Sequence, residues 1–401
     1  MSEPVRIGII APCPPPYGGI ARVIENNVAL WEDESVELHF LPMSAPVDAE
    51  PPVGAEFHRL SEHGNRSRSG VAAFIRALIK APVTRPSAYR SFVNYNRALS
   101  HFVADRKLDA LYAHEAWPAG ASANLQSRIH DVASVVVAYG ESYGTTPEHR
   151  RWTRSMRDIF KNADHVIAPS EHCLNGAVHL GANRSQSSVV YAGVDVGRFR
   201  PDLDGASWRE THDIAPDAFV VSVLGLVLQR KIEVFLDAIS KTESDNLVFL
   251  IGGRGPDEAY VRNRLQGKNS DKVRLLGFVE EEELPEFYSA SDVLVVSPNT
   301  QMECMGQSMK EAMACGTPVI GAEIGGVPEA IKDGIDGLMY DPNRPDELAE
   351  AIDRLSNDAD LRRGIRSRSR DVAVERFDSR VSATMTLDAI KTAIERRRSG
   401  R

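Results

Sequence analysis

The stretch SPNTQMECMGQSMKEAMACGTPVIGAEIGGVPEAIKDGIDGLMYD (297–341) decides the fold. It begins where the apolar run DVLVVSP (292–298) ends, passes through an irregular loop, and carries helix-forming residues over about 307–315. Gly316 and Pro318 then act as a stop signal. A buried strand followed by a loop and a helix puts the helix N-terminus, near 305–308, at the carboxyl edge of a sheet. Its backbone N–H groups and positive dipole end make a place for a phosphate. Glu303 and Glu311 bracket that place, eight residues apart, and suit sugar hydroxyls rather than phosphate. Both are expected to face one crevice.

The same rhythm extends along the chain. The first half carries VRIGII (5–10), LDALYA (108–113), SVVVAY (134–139), HVIAPS (165–170) and SVVYAG (188–193). The second carries FVVSVLG (219–225), LVFLIGG (247–253), VRLLGF (273–278) and DVLVVSP (292–298). These runs are nearly continuous in apolar residues, as in strands covered by helices on both faces. Their alternation with helices predicts βαβ crossovers and doubly wound sheets. A chain of 401 residues suits two such domains. The seam is expected in the polar, proline-bearing stretch 197–216, with domains over 1–198 and 199–378. A last helix from Ser379, with Val381, Met385, Leu387, Ala389, Ile390 and Ile394 apolar and ERRR near its end, is expected to complete the first domain.

Composition narrows the function. A net charge of −9 argues against general nucleic-acid binding. No apolar run is long enough to span a bilayer. The opening MSEPVRIGII lacks a basic region followed by an apolar one, so no secretory signal is predicted. Cys13, Cys173, Cys304 and Cys315 lack disulfide or zinc spacing and read as reduced thiols of a cytoplasmic protein.

EAMACGTPVI (311–320), GGVPEAI (325–331) and DGIDGLMYDP (333–342) resemble the E-x7-E region of family 4 of the retaining glycosyltransferases with a GT-B fold. PPPYGGIARVIENNVALWE (14–32), VIAPSEH (166–172), VYAGVDVGRFRP (190–201) and LLGFVEEEELPEFYSASDVLVVSP (275–298) resemble that family in the expected order. The resemblance covers nearly the whole chain, most weakly over 40–107. It implies two Rossmann-like doubly wound parallel-sheet domains facing across a cleft. It implies transfer, with retention, of a hexose-type sugar from a nucleoside-diphosphate sugar to a hydroxyl acceptor, with no metal and no further cofactor. The acceptor expected is a sugar, a small molecule, or a lipid-linked or cell-envelope glycan.

The resemblance also assigns residues. Glu311 would bind the ribose hydroxyls and Glu303 would sit by the donor sugar. The backbone at Gly306 and Gln307 would meet the sugar and diphosphate, and Lys231 would neutralise the diphosphate. Gly18, Gly19 and Gly225 would let backbone approach the nucleotide, and Phe278 and Val279 lie where the base is held. Replacing Glu311 or Lys231 by Ala is expected to weaken nucleotide binding with the fold intact. His114 and Glu141, at strand ends of the first domain, are acceptor-side candidates. Two positions depart from the family: Leu226 replaces an Arg of the diphosphate site, and Tyr139 replaces a His that touches the sugar. Arg230 and Arg254 are candidates to supply the missing charge. These departures keep open a non-catalytic nucleotide-sugar-binding protein; a GT-B epimerase is a further alternative.

Residues 63–104 contain no Asp or Glu, yet hold Arg66, Arg68, Arg76, Lys80, Arg85, Arg90 and Arg97. Val71, Phe74, Ile75, Leu78 and Ile79, then Phe92, Tyr95, Leu99 and Phe102, recur there at helical spacing. A second basic cluster, HRRWTRSMRDIFK (149–161), includes Trp152. Both segments suit peripheral contact with an anionic membrane, at the inner face of the plasma membrane. Equally, the apolar stripes suit a core, with the basic residues solvated or binding an anionic soluble acceptor.

Overall fold

A computed structural model describes residues 3–11, 19–31, 35–43, 54–58, 86–144, 150–225, 232–255, 257–265 and 269–400. The chain forms two compact units. One comprises Met1–Gly193 with Ser379–Arg401, the other Val194–Asp378.

The first unit holds seven parallel strands: β1 (Val5–Ala11), β2 (Val36–Pro42), β3 (Glu56–Phe57), β4 (Ala110–His114), β5 (Ala133–Val137), β6 (His165–Ala168) and β7 (Ser187–Val189). Their spatial order is β3-β2-β1-β4-β5-β6-β7. Order therefore reverses between β1 and β4, which is the Rossmann switch point. The near-continuous apolar run of β1 feeds two cores. Ile7 and Ile9 pack with Trp31, Leu387 and Ile390, under the helices Gly19–Trp31 and Ser379–Ser399. Ile10 packs with Leu41, Tyr95, Leu99 and Leu111, under the helix Pro86–Arg106. The apolar stripe at 92–102 thus belongs largely to this core, in line with the second of the two readings given for it. Residues 63–85 lie outside the described residues.

The second unit holds β8 (Phe219–Leu224), β9 (Leu247–Gly252), β10 (Val273–Gly277), β11 (Val293–Val296), β12 (Val319–Ala322) and β13 (Leu338–Tyr340). The order is β10-β9-β8-β11-β12-β13, again parallel, with the reversal between β8 and β11. Val221, Phe249, Val293 and Ile320 share one core with Phe235, Leu348 and Ile352. The polar stretch 197–216 is folded within this unit. Its helix Gly205–Thr211 carries Arg209, whose guanidinium pairs with Asp292 at 2.7 Å and donates to the Ala290 carbonyl.

Among the strands, β2, β3, β12 and β13 were not read from apolar runs. In β2, Glu37 and His39 interrupt the run, although His39 is fully buried. In the last helix, Val381 and Met385 lie on the exposed side, while Ala383, Leu387, Ile390 and Ile394 face the core. The closing arginines are held by acids of the same unit. Arg397 pairs with Asp131 and Asp164, each at 2.9 Å, and Arg398 pairs with Asp109 at 2.5 Å.

Candidate donor and acceptor sites

In open α/β sheets ligands bind beyond the carboxyl ends of the strands at the switch point. In the second unit that point lies between Gly225, which follows β8, and Ser297, which follows β11. The loop after β11 ends at Gly306, which caps the helix Gln307–Ala314 with φ 68° and has no side chain to bond the first turn. The positive end of this helix therefore meets the sheet edge without a capping oxygen. A Cβ on Gly306 would stand 3.7 Å from Oε1 of Glu303, so the Glu303 carboxylate lies over this turn. The loop after β12 holds Glu303 from behind. Gly326 N–H donates to the Glu303 carbonyl at 3.0 Å, and a Cβ on Gly325, at φ 62°, would lie 2.3 Å from that oxygen. The GGVPE segment thus has a positional job that its sequence alone does not disclose.

Glu311 takes a different place. It is 4 % exposed, and its Oε2 accepts a 2.7 Å hydrogen bond from the Tyr288 hydroxyl. Glu303 is partly exposed. An alanine at 311 would leave the Tyr288 hydroxyl without this partner, at a cost of about 1–3 kcal/mol. The expected Glu311→Ala variant would therefore carry a stability cost besides any loss of nucleotide binding. Sequence reading missed Lys310, which is 2 % exposed on the same helix. Burial lowers its ammonium to about 8, against the pull of Glu311, Cys304 and Glu303. Its signal was a lysine on the side of the helix that also carries Met313 and Ala314.

Around the same sheet edge, Gly225 N–H donates to Gly252 O at 2.8 Å. Phe278 follows β10 and is 40 % exposed, whereas Val279 is buried, with a methyl 2.9 Å from where a Gly252 Cβ would be. Arg254, exposed after β9, lies beside Gly277, its Nε 3.9 Å from the place of a Cβ there. Gly19 opens the helix Gly19–Trp31 of the first unit. Gly18, Leu226, Arg230 and Lys231 lie outside the described residues.

The switch point of the first unit is built from the ends of β1 and β4. His114, the last residue of β4, is fully buried, so it does not offer its ring to an acceptor as expected. Its Nδ1 stands 2.9 Å from the Tyr139 hydroxyl. Burial pulls its imidazole down to about 3, so it is neutral. Its chemistry is to hold Tyr139, which is partly exposed just beyond β5. Glu141 accepts the Ala116 N–H at 3.1 Å, and burial pushes its carboxyl up to about 7. Glu115, which sequence reading missed, sits beside it. Burial first, and then the Glu141 charge, raise Glu115 to about 7 as well. Its backbone, at φ 78° and ψ 153°, lies in a region that side chains rarely adopt.

Residues 206–372 match the family described as Glycosyl transferases group 1, and residues 18–193 match the Glycosyl transferase 4-like domain. A D-inositol 3-phosphate glycosyltransferase of Actinosynnema mirum is 30 % identical over 301 residues, covering 71 % of this chain and 70 % of that protein. The chain belongs to the glycosyl transferases group 1 family. The protein of the same name from Streptomyces bingchenggensis is 31 % identical over 265 residues, which cover 63 % of this chain but 58 % of the relative. Among solved structures, Anabaena Alr3699/HepE in complex with UDP and glucose aligns with TM-score 0.75 at 18 % identity, over 97 % of this chain and 100 % of that one. Sucrose-phosphate synthase from Thermosynechococcus elongatus aligns with TM-score 0.78 at 20 % identity, over 97 % and 98 %. At such identities the likeness is one of fold, and the fold of this family member is GT-B, with two Rossmann-like parallel-sheet domains.

Proposed function

We propose that the chain transfers a hexose-type sugar, with retention, from a nucleoside-diphosphate sugar to a hydroxyl acceptor, and that the transfer itself needs no metal. The observation that carries this reading is the convergence of the helix start at Gly306 and the carboxylate of Glu303 on one switch point. The diphosphate would lie on the helix start and Lys231, the donor sugar beside Glu303, and the base against Phe278. We assign to Arg254 the charge that Leu226 lacks. Catalysis then rests on positioning and on stabilising the leaving diphosphate. The relatives' names point to a phosphorylated polyol as acceptor. Tyr139, Glu115 and Glu141, at the strand ends of the first unit, would meet acceptor or sugar hydroxyls. A lipid-linked acceptor is the alternative within the same reaction. For it, the exposed Arg150, Arg151, Arg154 and Arg157 on the helix Arg150–Asn162 supply the basic face.

A thermal-shift screen over UDP, GDP, ADP and their sugars tests the donor half, because a ligand stabilises the state that binds it. The matching nucleotide is expected to raise the midpoint. Lys231→Ala and Glu311→Gln, the second chosen to keep an acceptor for Tyr288, should each weaken that nucleotide at least tenfold, the scale of one lost charged contact of about 1.5–3 kcal/mol. If no nucleoside diphosphate shifts the midpoint, the donor-site reading is wrong. Incubation with D-inositol 3-phosphate, followed by NMR of the anomeric proton, tests acceptor and retention. Turnover without any acceptor would instead reveal an epimerase, and binding without turnover a non-catalytic protein.

A further inference from the structure

Away from both switch points, three side chains converge at the outer edge of the first sheet. His39 lies on β2, Glu56 is its register partner on β3, and His58 follows β3 by one residue. Nδ1 of His39 and Nε2 of His58 are 3.1 Å apart. Oε2 of Glu56 lies 3.3 Å from the His58 nitrogen and 3.6 Å from the His39 nitrogen. Ligands arranged tetrahedrally around zinc at about 2.0–2.1 Å stand roughly 3.3–3.4 Å from one another. The triangle formed here matches one face of that tetrahedron, and a cation about 2 Å from all three atoms fits over it.

The surrounding groups favour the same reading. Oε1 of Glu37 lies 3.0 Å from Nε2 of His39, the ring nitrogen turned away from the cluster. The Glu37 charge beside Nε2 favours the imidazole proton on that nitrogen, although the pair lacks hydrogen-bond geometry, and Nδ1 is the nitrogen that faces His58 and Glu56, as in metal-bound histidines. Glu37 is itself steadied by Arg6 at 3.2 Å. The Phe102 ring packs against both imidazoles, at 5.4 and 4.5 Å between centroids. A single hydrogen bond between the two rings would use one proton and leave the Glu56 oxygen facing the lone pair of the other nitrogen. Arg106 offers Glu56 a partner only at 3.4 Å and near the surface.

We propose that His39, Glu56 and His58 form a binding site for a divalent transition metal, of the zinc class, with a solvent molecule as fourth ligand. Two imidazoles and one carboxylate suit zinc and its neighbours rather than magnesium or calcium. The site clips β3, only two residues long, to the buried strand β2, and takes no part in sugar transfer.

The test uses the full chain, stripped with a chelator and titrated with zinc chloride by calorimetry, with metal content checked on the dialysed protein. One equivalent should bind and raise the thermal midpoint, while magnesium at the same concentration does neither. Cobalt should give the intense visible absorption of four-coordinate geometry. Glu56→Gln, at an exposed position, and His58→Ala should each weaken zinc at least about tenfold, the loss that removing even an outer partner can produce. Nucleotide binding, measured alongside, should be unchanged in both variants. Lack of saturable one-equivalent binding by the parent, or equal binding by parent and both variants, would overturn the site, and neither result bears on the donor-site reading.

Discussion

At the scale of single residues, the donor edge depends on glycines that carry no chemistry. Gly325 and Gly334 both have left-handed backbone, at φ 62° and 72°, but a Cβ at 334 meets nothing within 4 Å. Gly334→Ala should therefore lose only the backbone term of about 1–2 kcal/mol. Gly325→Ala adds a clash with the Glu303 carbonyl, so it should be clearly less stable in urea unfolding and should also weaken donor binding. Equal stabilities for the two variants would refute the bracing of Glu303 by this loop. Glu141 allows a pH test. Its carboxyl binds a proton more tightly folded than unfolded, so its contribution is fully present below about 4.5 and is withdrawn as pH rises towards 7. His114 and His165, pulled down to about 3 and about 4, act in the opposite sense, losing their support as pH falls below 6.5. Comparing a variant with its parent cancels the histidines. Glu141→Gln keeps an oxygen for the Ala116 N–H, so its stability relative to the parent should rise by on the order of 1 kcal/mol between pH 5 and pH 8. A difference that does not vary with pH would contradict the raised carboxyl.

At the scale of elements, the last helix shows why a helix far along the chain belongs to the first unit. Trp31 Nε1 donates to the Ala383 carbonyl at 2.9 Å, and Leu387 and Ile390 sit in the core of the first sheet. Arg397 makes two bonds to Asp164, at 3.0 and 2.9 Å, and Asp164 in turn accepts the Ser134 N–H. Arg397→Ala should destabilise the first unit by about 2 kcal/mol, because it leaves a partly buried carboxylate short of its counter-charge. Arg398, 62 % exposed, should contribute no more than about 0.5 kcal/mol when replaced by Ala. Denaturant midpoints of the two variants that coincide would count against this ranking. The helix Arg150–Asn162 is divided in the same way, with Met156, Ile159 and Phe160 inward and arginines outward.

At the scale of the whole molecule, the two parallel sheets share one strand order, the first with one further strand at its edge. Among the described residues no helix is long and apolar enough to cross a membrane. For the lipid-linked alternative proposed above, the arginine face of 150–157 is a described surface on which peripheral contact can be tested. The protein should sediment with anionic vesicles at low salt and much less at high salt, since each charge near the surface contributes about 1 kcal/mol and salt screens it. Recovery in the supernatant with both neutral and anionic vesicles at low salt would favour a soluble acceptor.

The class of fold was legible in the amino-acid sequence alone, and so was the strand–loop–helix start on which the proposed donor site rests. Buried parallel strands must be apolar along their whole length, and a helix start must be signalled locally, so VRIGII, LVFLIGG and the run from DVLVVSP to the stop at Gly316 are legible without coordinates. What depends on partners distant in the chain emerged with the three-dimensional fold. It buried Glu311 against Tyr288, hid His114 behind Tyr139, placed the charged Lys310 inside and paired Glu115 with Glu141. It also brought His39 and His58 together across two strands. Burial and pKa follow from what packs over a side chain, and hydrophobic periodicity carries no record of that.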